Sequence, residues 1–497
     1  MPQLTRREFL KTSAAAAAGL GLAPWLGRPA RAGEAARRPN IVYFMTDDQA
    51  WHAMSCAGSK VVKTPAQDRI AREGLRFTNM FVTNSLCAPS RASFLTGKYS
   101  HTHGVRTNGI PWTDQPIFTD YLKRAGYQTC FIGKYHQGGQ VIPAKPDIWM
   151  GFTDQGVYNN QRLKDFDGEV KVFPGHNTDV LGDQAVKYLK EHRKDPFCLL
   201  LWFKAPHREW VPAERHKTAL ADVTIPRPAT FNDDYAGRPE AVKKTEMQVE
   251  IAKGNMPFEE WVKDYYRTIL GVDEAMEKVL AALDDLGLAQ DTIVVHASDN
   301  GFFLGEHHFF DKRLMYEPSI RVPMLMRYPR VIKPGRTAAE MVLNVDLAPT
   351  LLDLAGVPVP ADMQGASWRP ILEGRSPENW RKIWYYEYYE YPAVHMVRPC
   401  RGVRTEQWKY IEWPEFHFVQ KPAAKAKAKA KAEGGAAEAA ERKYDHPAEY
   451  ELYDLRADPD EMRNLYGDPK HADKVAELKK EMRRLRAELK DPDLQDA

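Results

Sequence analysis

The 497-residue sequence has only five cysteines, Cys56, Cys87, Cys130, Cys198 and Cys400, and no two of them are spaced as CxxC. That spacing excludes a zinc ribbon and a thioredoxin-type redox motif. Cys130 and Cys198 lie in the apolar runs Thr129-Cys130-Phe131-Ile132 and Phe197-Cys198-Leu199-Leu200-Leu201, where a thiol is a small buried hydrophobe rather than a ligand. Neither sign of charge is in excess, with a net charge of +3, so the total argues for no nucleic acid partner and no acidic tail. There is no internal repeat. The apolar run over residues 13–26 is too short to span a bilayer, so no stable membrane insertion is expected. The length leaves room for two to four domains and a large core.

The N-terminus carries a different signal. Thr5-Arg6-Arg7-Glu8-Phe9-Leu10-Lys11 has the form of a twin-arginine export motif, followed by a weakly hydrophobic Ala/Gly/Leu run. Ala30-Arg31-Ala32 before Gly33 is a cleavage site of the small-residue type. We therefore expect a leader over residues 1–32, export of the folded protein by the Tat machinery of a bacterium, and a periplasmic or secreted mature protein.

Past the leader, short apolar runs end in polar clusters. Ile41-Val42-Tyr43-Phe44-Met45 reads as a buried parallel strand ending at Thr46-Asp47-Asp48-Gln49, where ligands gather in open α/β sheets. Two adjacent carboxylates repel unless a cation lies between them. A second strand, Thr292-Ile293-Val294-Val295-His296, runs into Ala297-Ser298-Asp299-Asn300-Gly301 and supplies a matching acid–amide pair. Asp47, Asp48, Asp299 and Asn300 offer only oxygen donors, which favours Ca²⁺, with Mg²⁺ as the alternative, over zinc. Trp261, Tyr265, Ile269, Val272, Met276, Val279, Leu280, Leu283 and Leu286 form the apolar face of one long helix stopped at Gly287. Residues 213–257 show little periodicity and read as a surface excursion near the mouth of the site.

The organising stretch is Thr83-Asn84-Ser85-Leu86-Cys87-Ala88-Pro89-Ser90-Arg91-Ala92-Ser93-Phe94-Leu95-Thr96-Gly97. It resembles the signature of the formylglycine-dependent sulfatases, C-x-P-S-R followed by A-S-x-L-T-G. Three more stretches resemble that family's motifs in the same order. They are Gly133-Lys134-Tyr135-His136 (tyrosine replacing the usual tryptophan), Pro206-His207 through Pro212, and Gly305-Glu306-His307-His308 through Lys312. The resemblance runs from about residue 39 to 465 and implies an alkaline-phosphatase-like α/β fold. Its large domain, 38–375, holds a mixed, mainly parallel sheet flanked by helices. A small C-terminal domain, 376–490, adds an antiparallel sheet and a helix.

The same resemblance implies the chemistry. Cys87 is converted to formylglycine (3-oxoalanine) by a maturation enzyme. Its hydrate attacks the sulfur of a sulfate ester and, with Asp47, Asp48, Asp299 and Asn300, ligates the cation. Arg91, Lys134 and Lys312 supply fixed positive charge, His207 protonates the leaving alcohol, and His136 takes the proton that lets the aldehyde re-form. A helix starting at Cys87 would also point N–H groups at the sulfate. His307 and His308 either line the pocket or pack structurally. The motif details lean toward O-sulfated sugars of glycosaminoglycan type, N-acetylglucosamine-6-sulfate first. An arylsulfatase, a phosphonate or phosphodiester hydrolase and a non-catalytic glycan-binding protein are the alternatives. The aromatic segment 384–391 either stacks on sugars or forms core. The Ala/Lys/Glu tract 421–442 lacks the apolar surface to order itself and is expected to be disordered.

Overall fold

The computed structural model describes residues 38–110, 112, 114–137, 146–420 and 442–492. The leader expected over 1–32 and nearly all of the Ala/Lys/Glu tract lie outside the described residues.

Eight strands form the central sheet: β1 Asn40–Thr46, β2 Leu75–Phe77, β3 Gln128–Lys134, β4 Ile148–Phe152, β5 Phe197–Trp202, β6 Thr292–Ser298, β7 Met324–Arg327 and β8 Arg336–Ala338. Their order is β8-β2-β7-β6-β1-β5-β3-β4. Only β7 runs against its neighbours, and β1 pairs in parallel with both β5 and β6. The expected mixed, mainly parallel sheet is thus present. Parallel strands buried on both faces read as continuous apolar runs, which is why β1 and β5 are legible in the sequence.

The pleat divides the side chains of β1 between two layers. Ile41, Tyr43 and Met45 pack with Ala88, Ala92, Phe94 and Leu95 of helix α2 (Cys87–Thr96). Val42 and Phe44 pack on the other face with Leu181 of α4 (Asn177–His192) and Val272, Met276 and Val279 of α5 (Phe258–Asp285). Smaller helices α1 (Pro65–Glu73) and α3 (Phe118–Arg124) join the second and first layer respectively. Each fully buried Leu, Val or Phe contributes about 1.5–3 kcal/mol, so this sandwich holds the strand ends rigidly. The long amphipathic helix is placed as its spacing predicts, and Gly287 takes the left-handed conformation (φ 68°) at its end.

The excursion at 213–257 is a surface segment with buried anchors. Ile225, Phe231 and Val249 are buried in a core shared with Trp261 and Phe302, and Val242 and Met247 are fully buried. Its Arg238 is also buried, paired with Asp233 at 2.7 Å and bonded to Tyr316 and Tyr453. The segment lies at the surface, with more than half of its residues exposed, and is pinned to the interior by apolar residues too irregularly spaced to announce themselves.

A second, antiparallel sheet has the order β9 (Ile383–Tyr388), β10 (Cys400–Thr405), β11 (Trp408–Trp413) and β14 (Glu449–Asp454). Leu478 and Met482 of the terminal helix Ala472–Glu488 are buried against its core. Trp384, Tyr385, Tyr386 and Tyr388 are all at most 1% exposed. The sugar-stacking reading of these four rings is therefore excluded, and they form the core of the sheet.

Between β11 and β14 lies a hairpin absent from the sequence reading, β12 (Phe416–Gln420) and β13 (Arg442–His446), in which Gln420 is the register partner of Arg442. The two ends of the Ala/Lys/Glu tract thus emerge side by side, the geometry a two-residue turn can close. Replacing 421–441 by an Asn-Gly turn is expected to change Tm by no more than about 2 °C and leave activity intact. A larger loss in a thermal melt or rate assay would show that the tract has a structural or functional role.

Candidate active site

The candidate site is assembled at the carboxyl ends of β1, β3, β5 and β6, with α2 entering from one side. Asp47 and Asp48 follow β1, and Asp48 is held at φ 68°. Asp299 and Asn300 follow β6, and the Asp48 N–H donates to Asp299 Oδ1 at 3.0 Å. All three acids and the amide are completely buried. Gly133 of β3 must be glycine, since a Cβ there would lie 1.9 Å from the Trp202 carbonyl oxygen at φ 112°. That close approach leads β3 to Lys134 and then His136. Tyr135, the departure from the family motif, is buried edge-on to Phe131 and Trp149 at 5.2 Å from each, leaving Lys134 and His136 in place.

Cys87 is the first residue of α2 and 1% exposed. Its Sγ lies 3.6 Å from both Asp47 Oδ1 and Asn300 Nδ2. One turn on, Arg91 donates from Nε to Asp299 Oδ2 at 2.7 Å and from Nη2 to Asp47 Oδ2 at 2.9 Å. Lys134 Nζ pairs with Asp47 and donates to Gln155 Oε1 at 2.6 Å. Lys312 Nζ pairs with Asp48 Oδ2 at 2.6 Å. His207 Nε2 stands 3.9 Å from Asp48 Oδ2, with Nδ1 on the Arg208 carbonyl. All ten sequence-predicted site residues thus converge on one buried cluster.

Its electrostatics follow from burial. Desolvation alone would raise Asp47, but Lys134 and Arg91 outweigh it and hold the carboxyl well below its usual range. Burial lifts Asp48 to about 7 against the pull of Lys312, and burial with the Asp47 charge raises Asp299. Burial, reinforced by Lys134, pushes both His136 and His207 well below the usual histidine value. The Cys87 thiol is pushed well up by burial and Asp47, so an unmodified Cys87 is a poor nucleophile here.

The donor set fits a hard cation. Oxygen atoms of Asp47, Asp48 and Asp299 lie within 4.8 Å of one another, and Asn300 Oδ1 is buried with no hydrogen-bond partner. An orphaned buried carbonyl beside three carboxylates is what an oxygen-ligated Ca²⁺ or Mg²⁺ would satisfy.

One expectation about the anion fails. Asn108 Oδ1 takes the Ala88 N–H at 3.0 Å, Pro89 has no N–H, and Ser90 N–H bonds to the Leu86 carbonyl. At most the Cys87 N–H remains for an anion, so side-chain cations rather than the helix start must hold it. The two open histidines also resolve: His307 Nδ1 lies 2.9 Å from both Asp233 and Arg238, and His308 pairs with Glu250. Both are thus held by side chains outside the catalytic cluster, His307 lining a separate cavity and His308 partly exposed.

Several residues escape sequence reasoning. Gln155 joins Lys134 to His136, facing His136 Nε2 at 3.3 Å. Asp311 accepts from Arg208 Nη2 at 2.9 Å and lies 3.2 Å from His395 Nε2. Arg313 pairs with Glu390 at 2.5 Å. Arg208, Asp311 and Arg313 adjoin motif residues and could have been flagged by that adjacency, whereas no local pattern marks His395 or Gln155.

The comparisons with known proteins agree with this geometry. Residues 39–357 match the sulfatase family model, and 305–421 with 441–488 match that of the N-sulphoglucosamine sulphohydrolase C-terminal region. An N-acetylglucosamine-6-O-sulfatase of Bacteroides thetaiotaomicron is 37% identical over 93% of this chain and 88% of its own length. The human N-acetylglucosamine-6-sulfatase is 32% identical over 71% of this chain and 67% of its own. A solved structure of a protein in complex with its substrate D-glucosamine-2-N,6-O-disulfate superposes with a TM-score of 0.82 at 36% identity, covering 92% of this chain and 99% of that one. Residues 3–23 match the twin-arginine translocation signal, so the protein is exported by the Tat route to the periplasm or beyond. No helix among the described residues is long and apolar enough to cross a membrane. Family membership implies a metal ion and a formylglycine in general terms, and the acidic cluster could bind such an ion. With four motifs in order, a buried acid–cation cluster at the strand ends and a family match over most of its length, the chain belongs to the sulfatases and is a sulfuric ester hydrolase.

Proposed function

We propose that this enzyme removes O-sulfate groups from amino sugars of glycosaminoglycan-type polysaccharides, with N-acetylglucosamine-6-sulfate as the preferred unit. The observation that carries this reading is the near full-length likeness to proteins named for that sugar, together with the neighbour bound to a 6-O-sulfated glucosamine. The polar group of Asp311, Arg208 and His395 beside the catalytic residues supports a hydroxyl-rich substrate, which such a group can hydrogen-bond. The chain divides, on this reading, into a leader 1–32, a catalytic domain 38–375 and a small domain 376–490.

Asp47, Asp48, Asp299, Asn300 and residue 87 would hold the cation, Ca²⁺ for an all-oxygen site, which supplies Lewis-acid polarisation of the sulfate. Residue 87, matured to formylglycine by a dedicated enzyme, supplies a hydrated aldehyde whose hydroxyl attacks sulfur in line. The rest is the work of unmodified side chains. Arg91, clamped between Asp47 and Asp299, fixes the position of residue 87 on its own helix. Lys134 and Lys312 stabilise charge as it moves onto the sulfate oxygens, an effect magnified in a desolvated pocket. Arg91, Lys134 and Lys312 are balanced by Asp47, Asp48 and Asp299, so a divalent ion would add positive charge that favours an anionic ester in the pocket.

The Arg208 carbonyl holds His207 Nδ1, leaving Nε2 to carry a proton to the departing alcohol. Burial keeps this ring neutral, and an anion beside Lys134 offsets the part of the effect that the Lys134 charge adds. His136 Nδ1 is buried without a partner and is open to the second hydroxyl on residue 87, whose proton it takes as sulfate leaves.

The test compares kcat/KM on N-acetylglucosamine-6-sulfate, sulfated disaccharides, 4-nitrophenyl sulfate and a phenyl phosphonate ester. The sugar sulfates should lead by about tenfold or more, because sugar contacts add transition-state binding that a phenyl ring does not engage. Equal efficiency on phenyl sulfate would point to an arylsulfatase, and preference for the phosphonate would overturn the reaction.

A further inference from the structure

Lys204 follows β5, which lies in the sheet between β1, which ends just before Asp47, and β3, ending at Lys134. The Asp47 N–H donates to the Ala205 carbonyl at 3.2 Å, which ties this turn to the acidic loop. Lys204 is only 5% exposed. The other cations of the pocket are committed: Arg91 to Asp47 and Asp299, Lys134 to Asp47 and Gln155, Lys312 to Asp48. Lys204 has no such partner among the described residues. Its ammonium lies over the Tyr158 ring, 5.1 Å from the centroid.

A buried ammonium with no ion-pair partner in contact is costly, even with the Asp47 and Asp48 charges nearby, and a protein retains one where a ligand supplies the contacting anion. Two further observations agree. The start of α2 offers almost no N–H to an anion, so the pocket depends on side-chain cations. Burial, aided by the nearby Lys134 charge, also draws the Lys204 pKa down to about 8, as befits an unpaired amine.

We propose that Lys204 is a substrate-binding residue of this pocket, a third ammonium beside Lys134 and Lys312 that contacts the anionic sulfate of the ester. This deepens the sulfate-ester reading and rests on it. The competing role is positional. Tyr158 donates from Oη to the His207 carbonyl at 2.6 Å, so Lys204 could act only by steadying Tyr158 and, through it, His207.

The experiment measures equilibrium binding of inorganic sulfate to the calcium-loaded Cys87→Ser protein, which keeps an oxygen at position 87 but forms no aldehyde. Lys204→Met in that background should weaken sulfate binding by about tenfold, the contribution of one charge-assisted hydrogen bond. Metal content and Tm should be unchanged, and Lys204→Arg should recover most of the affinity. In the mature enzyme the same substitution should raise KM more than it lowers kcat. A Lys204→Met protein that binds sulfate within about twofold of its parent, with the loss confined to kcat, would overturn the proposal in favour of the positional role. Should Lys204→Met fold poorly, Lys204→Gln keeps a polar tip and is read by the same criteria. If the Cys87→Ser parent itself binds no sulfate, the sulfate pocket is wrong and the proposal falls with it; if the parent binds and the variant binds equally, only the proposal falls.

Discussion

Replacing Cys87 by alanine is expected to leave the protein folded and to lower turnover by roughly 10⁴-fold or more, as loss of a nucleophile does in covalent hydrolases. The structural cost is small because little holds the sulfur in place. It makes only weak contacts at 3.6 Å, to Asp47 and Asn300, and losing one buried atom costs about 1 kcal/mol. The catalytic cost is large because nothing nearby can substitute. Around position 87 the pocket holds carboxylates already paired with cations and two histidines kept neutral by burial. In wild-type protein matured with a formylglycine-generating enzyme, peptide mass mapping should show the thiol replaced by an aldehyde. A free thiol at position 87 in protein of full specific activity would remove the central claim, as would an alanine variant that still turns over.

The second large effect is expected from Asp299→Ala, which removes one carboxylate from two jobs. Asp299 Oδ2 is the Nε partner of Arg91, and Oδ1 accepts the Asp48 N–H. Without it, a completely buried guanidinium keeps only Asp47 and one carbonyl, a loss worth about 3–5 kcal/mol by the usual cost of breaking a buried pair. The cation site loses a charged ligand at the same time, so metal content and kcat/KM should fall together, activity by about 10³-fold. Asp299→Asn separates the two. It retains an oxygen for the Asp48 N–H but not the charge, so it should recover part of the stability and little of the activity. Elemental analysis of the purified protein, with activity after chelation and after calcium is restored, checks the metal part. An active enzyme that contains no ion would refute it.

The site was legible in the sequence to the extent that its chemistry sits at the ends of buried strands. An apolar run such as Ile41 to Met45 can stop at Asp47-Asp48 only where the chain leaves the core, and the run leading to Ser298-Asp299-Asn300 repeats that pattern. Lys134, His207 and Lys312 carry little information singly, but their motifs follow Cys87 in family order. Those features depend on residues close together in the chain, so they survive without coordinates. The long helix over Phe258–Asp285 and the short aromatic strands from Ile383 are legible for the same reason.

The tertiary structure decided everything that depends on which distant groups meet. Adjacent Asp47 and Asp48 are identical in sequence terms, yet one faces Arg91 and Lys134 and is pulled down, while the other meets Lys312 and is lifted by burial to about 7. Gln155, Asp311 and His395 acquire meaning only through partners on other segments. Asn108, 20 residues past Ala88, closes the helix start that local reasoning left open to an anion. Rings 384–388, ambiguous by composition, became core because the sheet folds over them. Lys204 looks in the sequence like an ordinary polar residue after a strand, and its lack of an ion-pair partner is visible only once Asp47 and Asp48 are seen paired with other cations. Sequence order dictates strands, helices and motif identity because those are set by short-range periodicity. Desolvation and charge pairing are sums over the whole surroundings, and only the folded chain fixes them.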